Sequence, residues 1–111
     1  MISDERYRFI IDHVMGMALD AVWLYLEDDC DSYEDRKGKF LWMLKRMVSD
    51  GLIKLAKKGK VIDDPIDKVV ESFYGAFPQS DEDVNNGVWF FTELCPAGIG
   101  WVMADGSIDW V

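Results

Sequence analysis

The chain has 111 residues, half of them apolar and 14% aromatic, with a net charge of −9. That is enough to bury one core without staples and far too apolar for a disordered acidic tail. No apolar run approaches the roughly 20 residues that span a bilayer, and the start, Met-Ile-Ser-Asp-Glu-Arg, lacks a secretory signal pattern; a single cytoplasmic domain over 1–111 is expected.

The charge is laid out in blocks. Residues 1–35 carry ten acids and two bases, 36–60 one acid and nine bases, and 61–111 ten acids and one base. So acidic a chain is a poor generic nucleic-acid binder, because attraction to phosphate supplies most of that affinity. Two cysteines, Cys30 and Cys95, are too few for a disulfide framework and read as reduced packing residues.

In chain order, the spacing predicts one long helix over 4–28. Its apolar face comprises Tyr7, Ile10, Ile11, Val14, Met17, Ala18, Ala21, Val22, Leu24 and Tyr25. Ser3 or Asp4 caps its start, and Gly16 weakens its middle by about 1 kcal/mol relative to Ala. His13, the one histidine, reads as a surface or half-buried helix residue. The acidic turn from Glu27 to Asp35 superficially suggests a calcium loop. That reading fails by position: Tyr33 replaces a ligand, Glu34 the turn glycine and Phe40 the closing glutamate.

A second helix is expected over 33–50, with Phe40, Leu41, Leu44, Met47 and Val48 inward and Lys37, Lys39, Lys45 and Arg46 on other faces. Trp42 and Met43 broaden its apolar surface, and Gly51 ends it. Leu52 to Ala56 reads as a strand, Lys57 to Lys60 as a turn, and Val61-Ile62 as the return. Asp64 as cap and Pro65 at the first helical position start a third helix, with Ile66, Val69, Val70, Phe73, Tyr74 and Phe77 as its stripe. Gln79 to Gly87 reads as a polar, mobile loop. Val88 to Glu93 reads as a strand, with Trp89 and Phe91 on one side and Val88 and Phe90 on the other. Trp101–Ala104 and Ser107–Val111 then form a hairpin across a type I′ turn at Asp105-Gly106. The expected fold class is α+β, three main helices on a small antiparallel sheet.

No catalytic motif survives inspection: there is no P-loop, dinucleotide fingerprint, HExxH or GxSxG. A pairing of His13 with either cysteine has no support in spacing. The expectation is therefore a non-enzyme with no catalytic residues, no metal site and no cofactor. The basic run after Gly51 resembles the helix-to-wing passage of winged-helix DNA-binding proteins, with Lys57, Lys58 and Lys60 at a wing tip. Acidic flanks and an acidic third helix (Asp67, Glu71) oppose it, leaving nucleic-acid binding through 54–60 as the alternative.

Leu52-Ile-Lys-Leu, Phe77-Pro78, Trp89-Phe-Phe, Cys95-Pro96 and Asp105-Gly106-Ser-Ile-Asp-Trp110 together resemble a family of small bacterial proteins. Its pattern runs helix, "eGlikL", an acidic segment before a "W-F" strand, "CP" and a terminal "DG…W", over roughly 35–111. The resemblance implies a small intracellular protein associated with toxin–immunity loci, and it brings no catalytic residues. The expected partner is accordingly a protein, a basic toxin domain being the candidate, and not a membrane, with nucleic acid disfavoured and kept as the alternative; a homodimer is compatible with it. Complementary charge would give such a binder fast and specific association. The residues expected to face the partner are Asp28, Asp29, Asp31, Glu34 and Asp35, with Asp81, Glu82 and Asp83.

Overall fold

The computed structural model describes residues 2–111. Five helices, α1 (Asp4–Val14), α2 (Leu19–Tyr25), α3 (Tyr33–Ser49), α4 (Ile66–Ala76) and α5 (Asp81–Val84), combine with strands β1 (Ile53–Lys57), β2 (Lys60–Val61), β3 (Gly98–Val102) and β4 (Ile108–Trp110). Two short 3-10 helices lie at Glu27–Asp29 and Val88–Phe91. The fold is α+β, as expected.

The expected helix over 4–28 is two helices and a 3-10 turn. Ser3 caps α1, its Oγ accepting from the Arg6 N–H at 3.1 Å, and Tyr7, Ile10, Ile11 and Val14 are buried along its inner stripe. The helix then stops because Met15 is extended and Gly16 takes φ +86, a conformation open to glycine at little steric cost. The break is held from a distance. The Trp101 indole N–H donates to the Met17 carbonyl at 2.9 Å, satisfying an acceptor that a continuous helix would have used internally. The redirected α2 turns Trp23 inward, 1% exposed. Met17 and Leu24, expected inward, are exposed.

Trp23 is the hub of an aromatic cluster. Its ring lies within 6.0 Å of those of Phe40 and Phe90, and 5.4 Å from Phe77; Phe77 stacks on Trp89 at 4.8 Å. Helix α3, capped by Ser32, runs beneath this cluster and packs on α2, α4 and β1. Phe40, Met43 and Met47 are fully buried along it. Two of its cations are buried as well, which the apolar spacing did not show. Arg36 donates to the Trp23 carbonyl through Nε (3.1 Å) and Nη2 (2.7 Å) and lies 4.4 Å over the Trp23 ring. Lys37 sits among the rings of Tyr33, Tyr74 and Phe77. Such burial is tolerable only because each head has carbonyl, carboxylate or π-face partners.

Helix α4 begins one residue later than Asp64-Pro65 suggested. Pro65 occupies the cap position and no side chain caps the helix. Val69 and Phe73 are buried along it, followed by Phe77 past its end, while Tyr74 is exposed. The expected loop after it contains α5, capped by Ser80.

The largest correction concerns Val88 to Glu93, which is not a strand. Asn85, Asn86 and Gly87 all adopt positive φ (53, 54 and 94) and turn the chain into the 3-10 helix. Its neighbours Trp89 and Phe90 are buried together, with Val88 and Phe91 outside. Adjacent residues on one face are incompatible with strand alternation.

The sheet order is β2-β1-β3-β4, with every neighbouring pair antiparallel. Ile53 and Leu55 pair with Trp101 and Ile99 on the inner face; all four are buried. The type I′ turn expected at Asp105-Gly106 is found in the first hairpin instead. The two-residue turn lies between β1 and β2, where Lys58 (φ 51) and Gly59 (φ 80) are both left-handed, the signature of type I′. Between β3 and β4, only Gly106 is left-handed. The Gly106 N–H bonds to the Met103 carbonyl (2.9 Å), and the Met103 N–H to the Ser107 carbonyl (2.8 Å). That is a three-residue loop with a glycine bulge. The Asp105 carboxylate accepts from the Ser107 N–H and hydroxyl at 2.9 and 2.6 Å, which lowers its pKa.

Candidate functional site

The two acidic stretches far apart in sequence meet at one end of α3. Ser32 accepts from the Asp35 N–H at 3.0 Å, so α3 starts immediately after the acidic 3-10 turn. The Tyr33 hydroxyl reaches across and donates to the Pro78 carbonyl at 2.7 Å. That bond fixes the segment leading into α5 beside the start of α3. Asp81, in the first turn of α5, lies 3.6 Å from the Arg36 guanidinium. Between the two stretches is a shallow recess of about 250 Å³, lined by residues that include Asp31, Tyr33, Arg36 and Asp81. Burial, first, and then the fields of Asp81, Glu34 and Asp83 push the Tyr33 phenol up to about 12.

The eight expected acids divide into two groups. Asp29 pairs with Arg6 at 2.8 Å, Asp35 with Lys39 at 3.0 Å, Glu34 with Lys37 at 3.4 Å, and Asp81 with Arg36. The hydrogen bond from Lys39, aided by the Asp31 N–H, holds the Asp35 carboxyl below its ordinary value. Of these, Asp81 joins α5 to α3, Asp29 ties the 3-10 turn to α1, and Glu34 and Asp35 pair within α3. Asp28, Asp31, Glu82 and Asp83 are exposed and form no salt bridge among the described residues. They form the uncompensated part of the face. No group of three or more His, Cys, Asp or Glu side chains among the described residues is arranged to hold a metal ion.

The remaining candidates are dispersed. His13 is exposed, with Nδ1 2.7 Å from the Phe9 carbonyl and its ring 4.2 Å from that of Phe9. Cys95 is buried, which raises its thiol pKa. Cys30 is half-buried, its Sγ 3.2 Å from the Leu26 carbonyl. Lys57 does not stand at a hairpin tip: its ammonium donates to the Glu93 and Cys95 carbonyls, the first at 2.9 Å. Of the three wing lysines, Lys58 and Lys60 are exposed.

A model of the family described as "Protein of unknown function, DUF596" matches residues 48–111. The chain belongs to this family. The match covers Leu52-Ile-Lys-Leu, the Trp89-Phe-Phe segment, Cys95-Pro96 and the Asp105–Trp110 hairpin, so the bacterial family read from those residues is the DUF596 family. A solved structure, of an uncharacterised protein conserved in bacteria from Neisseria meningitidis, is similar at a TM-score of 0.78. It shares 21% identity over 96% of this chain and 90% of that one. That likeness carries the fold. No curated protein is similar enough to match. Among the described residues, no helix is long and apolar enough to cross a membrane.

Proposed function

We propose that this DUF596 protein is a non-enzymatic binding protein of the bacterial cytoplasm that neutralises a basic toxin domain, in the manner of an immunity protein. The observation that supports this reading is the convergence of the acidic stretches 27–35 and 81–83 on one face. There Asp28, Asp31, Glu82 and Asp83 form no salt bridge among the described residues while Asp29, Glu34, Asp35 and Asp81 pair with cations of the fold. Rim charges of this kind act chiefly on association rate and partner choice. The test is co-expression with the product of the adjacent gene, reading complex formation and protection of growth. A fourfold charge reversal (Asp28→Lys, Asp31→Lys, Glu82→Lys, Asp83→Lys) should abolish protection while leaving the fold intact. Absence of a complex, or full protection by the reversed variant, would overturn the proposal.

A further inference from the structure

Both edges of the sheet are short. β2 is two residues long and begins with Lys60, a charged edge that discourages pairing. β4 is three residues long and carries one charge, Asp109, at its centre. Val111 donates to the Ile99 carbonyl (3.1 Å) and Met103 to the Ser107 carbonyl (2.8 Å), and the pairing register places Asp109 opposite Trp101 between them. In an antiparallel ladder the bonded positions alternate. Ser107, Asp109 and Val111 therefore turn their backbone groups toward β3, and Ile108 and Trp110 turn theirs outward. The outward N–H and C=O of these two residues form an open edge.

The side chains along that edge are also unsatisfied. On the outer face Trp110 is 45% exposed and lies over Gly100, where a Cβ would come within 2.6 Å of its ring. On the inner face the exposed Asp109 carboxylate has no ion-pair or hydrogen-bond partner among the described residues. Asp109 lines a groove of about 350 Å³ whose apolar walls include Met15, Leu52, Trp101 and Met103. Methionine walls adapt to long side chains, and an anionic rim above an apolar wall suits a lysine or arginine, stem inside and head at the carboxylate.

We infer that the β4 edge and the Met15–Met103 groove together take an extended segment of a partner protein by strand addition. The segment carries a Lys or Arg opposite Asp109, flanked by apolar residues that lie beside Ile108 and Trp110. Main-chain bonds give the affinity and the alternate side chains the selectivity. A second copy of this chain fits less well, since β4 paired antiparallel with itself about Asp109 would set two aspartates face to face. This surface is separate from the acidic face, and the inference holds whether or not that face binds a toxin domain.

The probe is the synthetic peptide Thr-Val-Thr-Val-Lys-Val-Thr-Val-Thr, with a twin carrying Glu in place of Lys. Amide exchange followed by NMR should show the Ile108 and Trp110 N–H groups protected on adding the Lys peptide, with Trp110 fluorescence changing in parallel. The Lys peptide should bind on the order of fivefold more tightly than its Glu twin. Asp109→Lys should reverse that order. Ile108→Pro, which removes one outward N–H and spares the β3 ladder, should abolish binding. Unprotected Ile108 and Trp110 amides at millimolar Lys peptide would overturn the inference. So would an Asp109→Lys variant with unchanged preference, or protection without peptide that grows with protein concentration.

Discussion

Gly100 shows what one missing methyl group does here. A Cβ at that position would meet Ile108 Cγ2 at 2.4 Å and Trp110 Cε3 at 2.6 Å, both on the strand that must lie beside it. Gly100→Ala should destabilise the protein by about 1–3 kcal/mol, the usual cost of forcing extra volume into a packed site. Chemical denaturation would measure the loss, and an unchanged midpoint would show that β4 is not seated as described. Tyr33 makes a second residue-level prediction. Its phenol, pushed up to about 12, is stabilised in its neutral form on folding. The associated stability is complete below the ordinary value near 10 and is lost as pH rises from there through about 12. Phenolate absorbance of the native protein should show Tyr33 ionising above free tyrosine, and Tyr33→Phe should remove that step. Neither effect is legible in the sequence, where Gly100 is one of several glycines and Tyr33 is a tyrosine in an acidic turn.

Among the elements, amphipathic periodicity located α1, α3 and α4, and strand–turn–strand chemistry located β1 with β2. Of the serine caps only Ser3 was read from the sequence; Ser32, which caps α3, was not, and Ser32→Ala should cost about 1 kcal/mol, read from thermal unfolding at constant pH. Failures cluster where the backbone leaves ordinary φ. Gly16 was read as a weak point in a continuous helix, yet its φ of +86 ends the helix outright. Gly16→Ala should therefore destabilise by about 1 kcal/mol, whereas an uninterrupted helix would gain a similar amount from the same change. The sign of the measured shift decides between them. The signal missed at 85–87 was Asn-Asn-Gly, a run of the residue types that tolerate left-handed backbone. Its effect was to convert an aromatic-rich apparent strand into a 3-10 helix that buries Trp89 and Phe90 side by side.

At the scale of the whole molecule, charge has two separate tasks. Four of the expected partner-facing acids are paired inside the fold, Asp81 bridging α3 and α5, and four others leave its surface negative. Mutations in the two sets should behave differently. Arg36→Met leaves the Trp23 carbonyl without its charged donor and Asp81 without its partner, so it should destabilise by about 2–4 kcal/mol. Asp31→Asn and Glu82→Gln should alter stability by less than about 0.5 kcal/mol while reducing the rate of association with a basic protein. That rate should itself fall steeply as salt is raised through physiological strength. Stopped-flow association against denaturation midpoints separates the two sets.

By itself the sequence determined the α+β class, most helix positions, the two hairpins and the bacterial family, because each follows from local periodicity, turn residues or short motifs. It also determined that the acids fall in blocks. Only the tertiary structure decided that those blocks share a face, since the Tyr33–Pro78 bond and the Arg36–Asp81 pair span some 45 residues of chain. The same is true of the helix break that Trp101 holds from 84 residues away, and of the hub at Trp23. Long-range contacts override local preference when a freed backbone group finds a distant partner, and no window along the chain contains both ends of such a bond.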